Sequence, residues 1–267
     1  MLSSSSDAHA AVAGIDAVAV KPAEHDWRRI TDLVAGVSTV TVDYEGHAHM
    51  PDLDALAACV DDGRAIRVTT PVRVDGFDPL GDDSLAADMP PELGRVLVAG
   101  HGAYLSDDAA ERAVAPRLGA AVDALDGDPW VGTEGVERAA LATGGTQFEL
   151  LSRGTQRDLD GLRAAGFDGD IAVYAPTVLT DDEDAILDAV GAYTARRGPV
   201  RRALPEDAAT DATATGRARE VLSAAVRDFA LVGDSETVRE RVAGLRAAGA
   251  DHVVAYPARG LDAFTRA

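Results

Sequence analysis

Lysine is nearly missing from this 267-residue sequence: Lys21 is the only one, and every other cation is arginine. Lysine is normally among the commonest residues, so its replacement is systematic. Cations as a class are also outnumbered, 25 Lys plus Arg against 45 Asp plus Glu, which gives a net charge of −20. A surface of that sign repels nucleic-acid phosphates and anionic lipid, so neither nucleic acid nor membrane is an expected partner. Excess acid with little lysine is similar to the style of salt-accumulating halophiles, where molar salt screens self-repulsion. Cysteine is as rare. Cys59 stands alone between Ala58 and Val60, so no internal disulfide and no four-cysteine zinc site can form, and a packed structural thiol is expected.

Aromatic residues make up only 4%, so the core must be built from Ala, Val and Leu, and a 46% apolar share excludes a disordered chain. No run of 18 apolar residues and no charged-then-apolar leader is present, which makes the expected location cytoplasmic. Dinucleotide (G-x-G-x-x-G), P-loop and G-x-S-x-G motifs are absent as well.

What is present is alternation. Residues 1–13 read as a weakly ordered lead-in, and 14–267 as one domain. Short β-branched runs at 14–21, 37–43, 65–70, 95–100, 129–133, 147–151, 170–174 and 252–256 have the length of buried strands. Between them apolar spacing switches to three and four. Trp27, Ile30 and Val34 predict a first helix, and Leu53, Leu56 and Val60 a second. Val114, Leu118, Val122 and Leu125 predict a third, and Val238, Val242 and Leu245 a late one. Thr180 with Glu183 reads as a capping box, and Gly169 and Gly249 as helix-closing glycines. Four prolines in 71–94 leave little room for a long helix, while the polar stretch 198–215 predicts extra helices between strands seven and eight. Eight β/α units in this length favour a (β/α)8 TIM barrel over an open doubly wound sheet.

Barrel active sites lie at the carboxy-terminal ends of the strands. That rule selects Lys21, Asp43 with Tyr44, Thr69 with Thr70, His101, Thr133 with Glu134, Ser152, Tyr174, and Tyr256 with Arg259. Lys21, Asp43 and His101 are the candidate catalytic residues. A lone retained lysine is informative because arginine cannot replace a compact or titratable amine. His47 and His49 could form a metal pair, but further ligands are lacking, so no metal site is predicted.

The second half of the chain adds a resemblance. Residues 229–257 (FALVGDSETVRERVAGLRAAGADHVVAYP), 129–145 (PWVGTEGVERAALATGG), 170–183 (DIAVYAPTVLTDDE) and 94–104 (GRVLVAGHGAY) resemble, in order and spacing, the luciferase-like flavin- or deazaflavin-dependent oxidoreductases. That family includes bacterial luciferase and methylene-tetrahydromethanopterin reductase, and the chain would be a short haloarchaeal-type member. The resemblance implies a barrel binding FMN or a deazaflavin coenzyme at its carboxy-terminal face and passing hydride equivalents to or from a small organic substrate. It also implies coenzyme contacts at Gly132, Thr133, Glu134 and Gly135, with Thr69 and Thr70 beneath the ring and Gly100 and His101 flanking it. Glu134 puts a carboxylate there, so a balancing cation such as Lys21 or Arg138 is expected. Two alternatives stay open, a metal- or lysine-dependent barrel enzyme acting on a small anion and a non-catalytic barrel that has lost its coenzyme; a homodimer is the candidate assembly.

Overall fold

Each of the eight runs forms a strand in the computed structural model, which describes residues 13–60, 63–102 and 105–265. The predicted lead-in lies outside the described residues except for Ala13. The strands are β1 (Ala17–Val20), β2 (Thr39–Val42), β3 (Ala65–Pro71), β4 (Gly94–Val98), β5 (Trp130–Gly132), β6 (Thr146–Leu150) and β7 (Ile171–Leu179). β8 (Leu231–Gly233) and β9 (His252–Pro257) follow. β1 through β7 pair in sequence order and β9 bridges β7 back to β1, every ladder parallel, so eight strands close a barrel. The ninth is an addition the sequence reading missed: β8 pairs with Thr177–Leu179, where β7 runs on past the barrel.

Alternation along the strands sorts side chains into two cores. Val18, Val20, Val40, Val42, Ile66 and Val68 face outward into the layer beneath the helices. Ala17, Ala19, Val96, Trp130, Phe148, Ala172, Tyr174 and Tyr256 fill the lumen. Small residues on β1 and β7 thus leave room for rings from β5, β6 and β9, so few aromatics suffice. At the amino-terminal base, Trp130 lies 5.3 Å from the His252 ring and 5.7 Å from Phe148, with the Arg67 guanidinium over it at 4.8 Å. Asp16 clamps this base by accepting from Val253 N and Arg246 and pairing with His252 Nδ1 at 2.9 Å.

The helices are α1 (Leu53–Ala57), α2 (Ser84–Ala87), α3 (Asp107–Glu111), α4 (Val114–Asp123) and α5 (Glu137–Ala142). They continue with α6 (Thr155–Ala164), α7 (Glu183–Ala195), α8 (Gly198–Ala203), α9 (Gly216–Phe229) and α10 (Ser235–Ala247). α10 matches its predicted stripe and α4 does so as far as Val122, ending before Leu125; α8 and α9 are the extra helices, sharing a separate core with α7, Val178 and Val232. Four local expectations are corrected. The first helix is only a 3-10 turn, Trp27–Asp32, because Leu33 is extended and bridges to Thr265. The second stops at Ala57, before Val60. Asp182, not Thr180, caps α7, its carboxylate reaching Asp184 N and Ala185 N, while Thr180 Oγ1 takes the Asp182 N–H. Gly166, at φ +88°, closes α6 in place of Gly169, whereas Gly249, at φ +113°, closes α10 as predicted.

Candidate active site

The inward parity that brings Ala172 and Val254 into the lumen brings Tyr174 and Tyr256 to its carboxy-terminal end. Their rings lie parallel within 7°, centroids 6.3 Å apart, and both residues are buried. Phe148 meets Tyr174 edge-on at 5.7 Å. These rings floor the mouth, and charged groups from the neighbouring strands stand around them.

Asp43 follows β2 and is only partly exposed. Tyr174 donates its hydroxyl to Oδ2 at 3.1 Å and Thr69 donates to Oδ1 at 3.4 Å. Burial pushes the carboxyl up to about 6, against the opposing pull of the Lys21 ammonium and the Tyr174 hydrogen bond. The group therefore exchanges its proton near neutrality. Tyr174 goes the other way in function. Burial and the adjacent Asp43 hold its hydroxyl far above the ordinary phenol range, so it stays a neutral donor.

Lys21 directly follows β1, with its Nζ 4.1 Å from the Tyr256 centroid and 3.6 Å from Glu24 Oε1. Glu24 also accepts the Tyr256 hydroxyl. The segment between is pinned. Lys21 N donates to His25 Nδ1, His25 Nε2 meets Pro257 O at 3.2 Å, and Ala23 N donates to Glu45. Burial lowers the basicity of His25, which keeps the ring neutral and able to accept from Lys21 N.

The remaining predicted positions divide. Thr69 joins the Asp43 cluster. Thr70 does not: it shares the parity of Ile66 and Val68, is fully buried on the helix side, donates to Val96 O and accepts from Arg95 Nε. Gly100, at φ +93°, turns the chain beside Pro71 and Leu105, and His101 is exposed on that turn. Gly132 is packed so closely that a Cβ would come within 2.9 Å of Val98. In the Gly132–Gly135 turn, Thr133 N donates to Phe148 O, Val136 N to Thr133 O, and Gly135 N to Glu137. The cation balancing Glu134 is neither Lys21 nor Arg138 but Arg197, just after α7, at 3.1 Å. Arg197 lies over the Tyr193 ring at 4.2 Å. His47 and His49 are exposed, and among the described residues no three His, Cys, Asp or Glu side chains gather as a metal set.

Sequence reasoning missed Glu24 and Arg197 and gave Tyr174 and Tyr256 no role. The tyrosines were readable from strand parity. Glu24 and Arg197 reach the mouth only through loop and helix geometry, for which the sequence carries no signal.

One family model, described as a family of unknown function (DUF7388), matches residues 10–264. No curated protein matches the chain. Among solved structures, an F420-dependent secondary alcohol dehydrogenase in complex with an F420–acetone adduct superposes with a TM-score of 0.62 at 11% identity, over 93% of this chain and 96% of its own. A coenzyme F420-dependent tetrahydromethanopterin reductase from Methanopyrus kandleri gives 0.59 at 13% identity, over 91% and 93%. The apo form of MsnO8 gives 0.53 at 16% identity, over 92% and 93%. The shared feature is the barrel of eight parallel strands. The eight-stranded closure read from the sequence is the fold these proteins have in common.

Proposed function

The chain belongs to DUF7388, a family of unknown function, and on its luciferase-like barrel we propose a flavin- or deazaflavin-dependent oxidoreductase that moves hydride equivalents to or from a small organic substrate. The observation that carries the reading is the Asp43–Tyr174 pair: a carboxyl tuned to about 6 beside a phenol that stays protonated, on an aromatic floor at the barrel mouth. Oxidation of an alcohol carbon, or reduction of its carbonyl, needs a proton moved on oxygen along with the hydride on carbon. A carboxyl titrating near neutrality suits that task. Two of the solved structures that share this barrel are named for F420, which adds support for the same class.

The donor set at the mouth fits a planar coenzyme. The stacked Tyr174 and Tyr256 rings give an apolar floor, Thr69 a hydroxyl beside it, and Lys21 and Arg197, on exchanging Glu24 and Glu134, positive charge for an anionic tail. When bound, such a ring supplies the hydride acceptor or donor. The protein's share is to hold the substrate oxygen near Asp43, keep Tyr174 as a neutral hydrogen-bond donor, and exclude water from the floor. Holding a phosphate on the Gly132–Gly135 turn would require Gly135 N to exchange Glu137 for the ligand.

The reading is tested by mixing the protein with oxidised F420 or FMN and a panel of small secondary alcohols, without oxygen. Loss of the oxidised coenzyme's absorbance is expected with at least one pair, and much slower loss in Asp43→Asn. Equal rates in the two proteins would remove Asp43 from the chemistry.

A further inference from the structure

Outside the barrel a cleft of about 400 Å³ opens between α6, α9 and α10, with Leu151, Ser152 and Arg153 of the turn after β6 in its lining. Its charged lining is Arg153, Arg227, Arg241, Asp228 and Glu240, with Gln156 beside them. Three guanidiniums against two carboxylates leave this cleft net positive in a chain whose net charge is −20. Among the described residues, the Arg153 and Arg227 guanidiniums have no hydrogen-bond or ion-pair partner. Arg241 is partly buried and gives one N–H to Ala230 O at 2.6 Å. Burial lowers the Arg241 guanidinium most, and of its charged neighbours Asp228 favours the cation while Arg227 opposes it more weakly.

We propose that this cleft binds a small phosphorylated, hydroxyl-bearing molecule, with Arg227, Arg241 and Arg153 on the phosphoryl oxygens and Asp228, Glu240 and Gln156 on hydroxyl groups. Guanidinium forks match phosphoryl oxygens bidentately, which suits a phosphate more than a halide ion. The volume lies in the range of small-molecule sites and exceeds what a bare ion fills. Carboxylates in an anion site are explained by the same ligand, since they accept from its hydroxyls. The site stands apart from the coenzyme reading and does not depend on it.

The test is calorimetric titration of the full chain with glycerol 1-phosphate and with inorganic phosphate, using glycerol as the uncharged control. Saturable binding of glycerol phosphate, tighter than inorganic phosphate and absent for glycerol, is expected. Arg227→Gln and Arg153→Gln should each weaken it about tenfold to a hundredfold. Neither side chain bonds within the protein, so their melting temperatures should match the parent, whereas Arg241→Gln risks the Ala230 contact. Arg197→Gln at the mouth should leave binding unchanged. Failure of glycerol phosphate to saturate, binding that survives both cleft variants, or binding lost in Arg197→Gln alone would each overturn the assignment.

Discussion

Tyr174 donates its hydroxyl to Asp43 at 3.1 Å, joining strands β7 and β2 across the barrel mouth from positions 131 apart in sequence. Only closure of the sheet brings the two together. Burial raises Asp43, while Tyr174 and Lys21 restrain the rise. The pair therefore acts as one unit.

Replacing Asp43 by Asn should cut hydride transfer by about 10²–10⁴-fold, the usual worth of a positioned acid or base. It should also abolish the limb of the pH–rate profile near 6. Stability moves oppositely. The folded carboxyl titrates above its ordinary value of 3.8, so its favourable contribution is full below that value and is lost as pH rises through about 6. Denaturant titrations at pH 5 and pH 8 should accordingly show Asp43→Asn gaining more on the parent at the higher pH.

Tyr174→Phe removes a hydrogen bond that favours the Asp43 carboxylate. The Asp43 titration should shift further upward in this variant, read by carboxyl NMR or by the pH–rate limb. A downward shift would contradict the assigned partner.

Much of this geometry was open to a reader of the sequence. The eight β-branched runs mark all eight barrel strands, and parity along β3 separates Thr69, inside, from Thr70, outside, because Thr70 follows Ile66 and Val68. β8 was not legible, since three residues, Leu231–Gly233, carry no periodicity and pair only with the overrun of β7. Arg197 was hidden for another reason. Its contact with Glu134 spans 63 positions and depends on how α7 ends, not on any local pattern.

Away from the mouth, Asp78 is almost fully buried and accepts from Arg112 at 3.2 Å and Arg117 at 2.8 Å. Its removal leaves Arg117 without an ion-pair partner among the described residues, while Arg112 keeps Asp75 at 2.7 Å, so Asp78→Ala should cost about 1–3 kcal/mol. Chemical denaturation of this variant should show that loss, and a change under 1 kcal/mol would assign the pair no structural weight.

The Asp16–His252 pair at the base predicts a stability plateau. The Asp16 hydrogen bond raises His252, so that contribution is present below 6.5 and is lost as pH rises through the elevated value. For Asp16, burial raises the carboxyl, but His252, Val253 N and Arg246 together outweigh it and leave it lowered. Its contribution is present above 3.8 and is lost as pH falls through the depressed value. Thermal melts should therefore peak between those limits, and Asp16→Asn should flatten the peak.

The central claim is that the aromatic mouth holds a flavin-type ring, and equilibrium fluorescence titration of the purified protein with F420 and with FMN tests it most directly. The account predicts saturable quenching of one of them, weakened in Lys21→Ala. Linear, unsaturated responses to both coenzymes in a folded protein would contradict it.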